Sequence, residues 1–228
     1  MKLISFGDSF VEGLIKDPYE NSVEERDKIC FTRKLVKRSK YLDSYKNFGL
    51  RGIGNLAISY KVYKYVENYD YKNSFLLVCW SGLDRESVYC EKRDEYEIFQ
   101  GERTQQPIFQ TNILASGIHN YLKSKQIPHL FTSSFTPFYL FHNKDTIPQK
   151  YIIGNINKAN SLFDIIGKRF NKKIAPNGNY TTSHADFNVP KTDLIAGCLH
   201  PTGKGHSLIA STLALYIDNF ISKEVLDK

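Results

Sequence analysis

Long apolar runs are missing from this 228-residue sequence. No stretch approaches the ~18 apolar residues that a membrane-spanning helix requires. The segment Leu3-Ile4-Ser5-Phe6 after Met1-Lys2 is too short for a secretory leader. A cytoplasmic location is therefore the default expectation, with a viral or assembly-bound location as the alternative. Cysteine is scarce as well: Cys30, Cys79, Cys90 and Cys198 form no C-x-x-C pair and have no zinc-like spacing with histidine. His119, His129 and His142 are scattered without ligand spacing, so neither a metal centre nor a cofactor is expected. Internal repeats and a linker that would divide the chain are also lacking, which leaves a single domain over residues 1–228.

What is present is 41% hydrophobic and 24% charged residues, enough for one large core. That balance excludes a disordered, collagen-like or coiled-coil chain. Lys and Arg (31) exceed Asp and Glu (24), giving a net charge of +7. The positive charge is dispersed. Its densest cluster, Arg33-Lys34-Leu35-Val36-Lys37-Arg38-Ser39-Lys40, has the spacing of a helix with a solvated basic face. No nucleic-acid motif accompanies it, so nucleic acid is not an expected partner.

Apolar periodicity alternates between strand and helix along the chain. Residues 2–6 read as a buried strand ending in the turn Gly7-Asp8-Ser9. Ser22-Val23-Glu24-Glu25 resembles a capping box opening a helix to about Lys40. Ser44 to Phe48 is a second strand, and residues 55–69 a helix. The run Phe75-Leu76-Leu77-Val78-Cys79-Trp80 is a strand buried on both faces. Residues 81–106 are polar and loop-like, 109–125 helical, 128–133 a strand, 155–170 helical, 171–199 irregular, and about 202–221 a last helix. This order predicts an α/β three-layer sandwich with a mainly parallel central sheet. In such sheets sites lie beyond the carboxyl ends of the strands.

Three segments fall at that edge: Phe6-Gly7-Asp8-Ser9-Phe10-Val11-Glu12-Gly13, Asn47-Phe48-Gly49-Leu50-Arg51-Gly52, and His200-Pro201-Thr202-Gly203-Lys204-Gly205-His206. A serine hydroxyl becomes a nucleophile once a base takes its proton, and histidine is the usual base near neutral pH. In order and placement these segments resemble the SGNH (GDSL-type) hydrolase family, and the resemblance spans nearly the whole chain. It implies a flavodoxin-like fold and ester hydrolysis. Ser9 is then the nucleophile, His200 the base, and the Ser9 and Gly52 N–H groups the oxyanion donors. The implied partner is a small-molecule or carbohydrate ester. The aromatic run Phe135-Thr136-Pro137-Phe138-Tyr139-Leu140-Phe141 serves either to stack sugar rings or to pack on the core.

Two blocks depart from the family pattern. Where the family has Gly-x-Asn-Asp, with the Asn side chain as an oxyanion donor, this chain reads Ser81-Gly82-Leu83-Asp84 after Trp80, with Asp84 at the family's Asp and Leu83 where the Asn stands. Leucine cannot donate; Ser81 is the expected substitute, with the Gly82 N–H and Arg85 as alternatives. Where the family has Asp-x-x-His, the chain reads Gly197-Cys198-Leu199-His200. Asp193 or Asp186 upstream, or a backbone carbonyl, is left to orient the imidazole. The missing Asn and Asp keep a second reading open, a non-catalytic binding or structural module on the hydrolase fold.

Overall fold

The computed structural model describes residues 1–13, 22–82, 85–90, 95–100, 106–134, 146–153, 161–167, 193–196 and 200–226. Four strands, β1 (Lys2–Gly7), β2 (Ser44–Gly49), β3 (Ser74–Trp80) and β6 (His129–Ser133), form an all-parallel sheet in the order β2-β1-β3-β6. A two-stranded antiparallel hairpin, β4 (Arg85–Cys90) with β5 (Glu95–Gln100), lies apart from it. The helices are α1 (Ser9–Glu12), α2 (Val23–Ile29), α3 (Phe31–Val36), α4 (Asn55–Asn68), α5 (Gln106–Ser124), α6 (Leu162–Gly167) and α7 (Gly203–Ile221).

Strand alternation sorts the core into two sides. Leu3, Phe75, Leu77, Cys79 and Leu130 pack towards α3, α6 and α7. Ile4, Phe6, Leu76, Val78, Trp80 and Phe131 pack towards α4 and α5. Because β1 and β3 are covered on both faces, their apolar runs are nearly continuous, and each fully buried large side chain stabilises by about 1.5–3 kcal/mol. The sheet reverses its direction of growth between β1 and β3, and the carboxyl ends of those strands are where sites form.

Three expectations from the sequence are corrected. The helix predicted from Ser22 to Lys40 is two helices. Ser22 and Glu25 form the capping box, but Cys30 adopts ψ 145° between α2 and α3. A Cβ at Gly13 would meet the Cys30 Cβ at 2.6 Å, so this break seats Cys30 against the turn after α1. The basic run is a solvated face only in part: Lys37, Arg38 and Lys40 are exposed, while Lys34 is half-buried. Lys34 Nζ donates to Gly203 O (2.6 Å) and Ser207 Oγ (2.9 Å), and Arg38 Nε donates to Ser211 Oγ (3.1 Å), all at α7. The polar stretch 81–106 holds the β4–β5 hairpin, with Tyr89 opposite Tyr96. Of the helix expected over 155–170, the described part is Leu162–Gly167.

Two histidines scattered in the sequence meet in the fold: His119 on α5 and His129 on β6 are buried and hydrogen-bonded at 3.0 Å. His129 Nδ1 donates to Ile127 O (2.8 Å), which leaves its Nε2 to accept from His119 Nδ1. Burial pushes the His129 imidazole down to about 4; His119 acts in the same direction and the Ile127 carbonyl opposes it. An unfolded histidine titrates near ~6.5. Between those values the unfolded chain binds a proton that the native state refuses. The stabilisation is therefore complete above ~6.5 and is lost as pH falls towards the folded value, by about 3 kcal/mol in total. Urea midpoints measured from pH 7 to 4 should fall along this window and fall less in His129→Gln. An equal decline in that variant would place the acid sensitivity elsewhere.

Candidate active site

β1 ends at Gly7, and Asp8 (φ −89°, ψ −154°) turns the chain out of the sheet into the single-turn α1. Asp8 Oδ1 accepts from Phe10 N at 3.0 Å, the N-cap bond that short polar side chains make. Ser9 is thereby the first helical residue, 2% exposed, with its hydroxyl at the carboxyl end of the central strand. Its N–H precedes the helical ladder and donates to no described residue.

His200 reaches Ser9 from the other end of the sequence: Nε2 lies 2.9 Å from Ser9 Oγ. Its backbone is held by a short antiparallel bridge, in which Ala196 N donates to His200 O and Thr202 N to Leu194 O, each at 2.9 Å. Pro201 fixes φ immediately after the histidine. Thr202 Oγ1 then accepts from Gly205 N (3.2 Å), capping α7, and the imidazole rests against Phe10 with ring centroids 5.8 Å apart.

β2 brings the third component. Gly49 stands directly against α1, where a Cβ would lie 2.2 Å from Glu12 N, so a side chain has no room there. Asn47 locks this contact, donating from Nδ2 to Val11 O (2.6 Å) and accepting from Gly49 N (2.9 Å). Leu50 N donates to Gly7 O, and Gly52 follows at φ +73°, the left-handed region that favours glycine. The Gly52 N–H, like that of Ser9, donates to no described residue. Around it the rim is charged. Glu12 accepts from Arg51 N (2.7 Å) and pairs with Arg26 at 2.5 Å. Burial pushes the Lys61 ammonium below its ordinary value, and Glu12 pulls it back up.

Beneath these groups lies a polar network that the sequence reading did not anticipate. The Asp8 carboxylate is fully buried. Besides Phe10 N it accepts from Ser134 Oγ at Oδ1 (2.6 Å) and from Ser81 Oγ at Oδ2 (3.1 Å). Ser81 N donates to Asn55 Oδ1 (2.8 Å), and Asn55 Nδ2 donates to Thr111 Oγ1 (3.0 Å). One carboxylate thus joins the ends of β1, β3 and β6, with α4 and α5 attached through Asn55 and Thr111. The signal that could have revealed Ser134, and the tie of Ser81 to Asp8, is a small hydroxyl directly after each buried strand, at the edge where α/β sites form.

The structure therefore brings together Ser9 and His200, with Gly52 three residues beyond the end of β2 and Ser81 bonded to Asp8, the residue before Ser9. It does not bring Asp193 to His200. Asp193 is exposed, its carboxylate is 3.2 Å from Lys204 Nζ, and its carbonyl accepts from Thr202 Oγ1. Leu83, Asp84, the aromatic run 135–141, His142, Asp186, Cys198 and the rest of 171–192 lie outside the described residues. Among the described residues no group of three or more His, Cys, Asp or Glu could hold a metal ion, and no helix is long and apolar enough to cross a membrane.

No protein-family model and no curated protein matches the sequence. Solved structures do match the fold. A protein assigned to the G-D-S-L lipolytic family from Desulfitobacterium hafniense superposes with a TM-score of 0.53 at 12% identity, covering 94% of this chain and 98% of its own. An acetyl xylan esterase from the rumen bacterium Butyrivibrio proteoclasticus gives a TM-score of 0.55 at 12% identity, over 97% of this chain and 64% of its own. At such identities the likeness establishes the architecture: a three-layer α/β sandwich of the SGNH type.

Proposed function

We propose that this SGNH-fold protein is a serine ester hydrolase working through a Ser9–His200 pair. The observation that carries the reading is the 2.9 Å approach of His200 Nε2 to Ser9 Oγ at the carboxyl edge of the sheet. His200 takes the hydroxyl proton as Oγ bonds to the acyl carbon. The carbonyl oxygen becomes an oxyanion facing the Ser9 and Gly52 N–H groups. The imidazolium returns its proton to the departing alcohol, leaving an acyl-serine. Water then attacks that ester while His200 accepts its proton and passes it back to Ser9, releasing the carboxylic acid.

The charged rim of Glu12, Arg26, Arg51 and Lys61 supports a short acyl group on a polar alcohol, such as an O-acylated carbohydrate. A long alkyl chain would find these groups poor company. The test is labelling with a fluorophosphonate, with the modified residue mapped by mass spectrometry. Labelling at Ser9 that drops in His200→Ala is the expected result. A folded protein that stays unlabelled would overturn the assignment.

A further inference from the structure

The resemblance calls for a third oxyanion donor after β3, and position 83 carries leucine. Ser81 was the substitute expected from sequence, but both of its donors are committed. Its N–H goes to Asn55 Oδ1 at 2.8 Å, and its hydroxyl, which has a single proton, goes to Asp8 Oδ2 at 3.1 Å. Next along the chain is Gly82. It is buried, and its N–H donates to no described residue. A buried N–H without a partner is rare because it forfeits its hydration, and such groups gather where a ligand completes them. The N–H groups of buried Ser9, at the end of β1, and of half-buried Gly52, just beyond β2, likewise donate to no described residue. The three strands are neighbours in the order β2-β1-β3. The Ser81–Asp8 bond further binds the chain after β3 to the residue preceding the nucleophile.

We infer that the Gly82 N–H is the third oxyanion donor, so that the hole is built from three backbone amides and no side chain. The Asn55–Ser81–Asp8 bonds set the course of the chain on which Gly82 sits. This rests on the Ser9–His200 reading above and adds the group that stabilises the tetrahedral intermediate from the β3 side.

Serine labelled with ¹³C at the carbonyl, combined with ¹⁵N-glycine, selects the Ser–Gly pairs, of which the sequence has two, 81–82 and 116–117. Gly117 lies within α5 and serves as the internal reference. The corresponding arginine label selects Arg51-Gly52. Phosphonylation of Ser9 places an anionic oxygen in the hole, and the Gly82 and Gly52 amide protons should both move downfield while that of Gly117 stays. Gly82→Pro, which deletes the N–H, should lower kcat on p-nitrophenyl acetate by about 10²–10³-fold, with a much smaller change in KM. A Gly52 shift without a Gly82 shift would overturn the Gly82 assignment and leave the Ser9–His200 reading standing. So would a folded Gly82→Pro enzyme with undiminished kcat. Failure of Ser9 to react at all would remove both.

Discussion

Replacing Ser9 with alanine is expected to lower kcat for p-nitrophenyl acetate by about 10⁴-fold or more, because nucleophile and base act as one unit. Alanine is a good helix former at the first position of α1, and the lost hydroxyl bonds only to His200 among the described residues. The variant should therefore keep its fold, and its urea midpoint should stay close to that of the parent. Stopped assays at high enzyme concentration would read the residual rate, and circular dichroism the fold. The same variant decides against the rival reading of a binding or structural module. Such a module would take up an acylated oligosaccharide equally well with serine or alanine at position 9 and would show no turnover in either. Undiminished turnover in the alanine variant would move the chemistry away from Ser9.

The largest expected effect on stability belongs to Asp8. Its carboxylate is fully buried and, among the described residues, receives hydrogen bonds from Phe10 N, Ser81 Oγ and Ser134 Oγ. Asp8→Ala removes every acceptor at once and leaves a backbone N–H and two hydroxyls without their partner. Each buried donor stranded in this way costs about 1–3 kcal/mol. The Ser134 hydroxyl retains the Cys79 Sγ at 3.3 Å as a weak alternative, which moderates its share. The total expected is about 4 kcal/mol, a loss that can unfold a marginal domain. Asp8→Asn keeps one acceptor and remains a good N-cap, so it should lose much less, about 1 kcal/mol. Urea unfolding at pH 7 measures both. Equal midpoints for the two variants would show that the carboxylate network contributes little to the fold.

These effects mark the boundary of what can be read from one chain of letters. The run 75–80 announces itself because a strand covered on both faces needs no polar alternation. Ser9 and His200 stand out as candidates because few residue types can do nucleophile and base chemistry, and both sit at element boundaries. The break at Cys30 is invisible locally. It depends on how closely that residue meets Gly13, a contact made only in the assembled fold. The His119–His129 pair escapes notice for the same reason, since ten positions and two elements separate its members. The basic run reads as solvated because helical spacing says which residues share a face but not what lies opposite. The bonding of Asp8 is likewise a tertiary property: as a letter, it is one member of a common turn. The β4–β5 hairpin is missed because its segment is rich in charge, although Val88 and Cys90 alternate with polar neighbours on one strand and Tyr96 and Ile98 on the other.

The 191 positions that separate Ser9 from His200 carry a consequence for how the protein comes into being. β1 leaves the ribosome well before its neighbours on either side, β2 and β3. The imidazole arrives only with the segment leading into α7. Contacts of such separation are closed late, after the entropy of the intervening loop has been overcome. On the proposed Ser9–His200 reading, a growing or half-folded chain can thus hold its serine in place without the imidazole, and the pair is completed only when the segment leading into α7 docks.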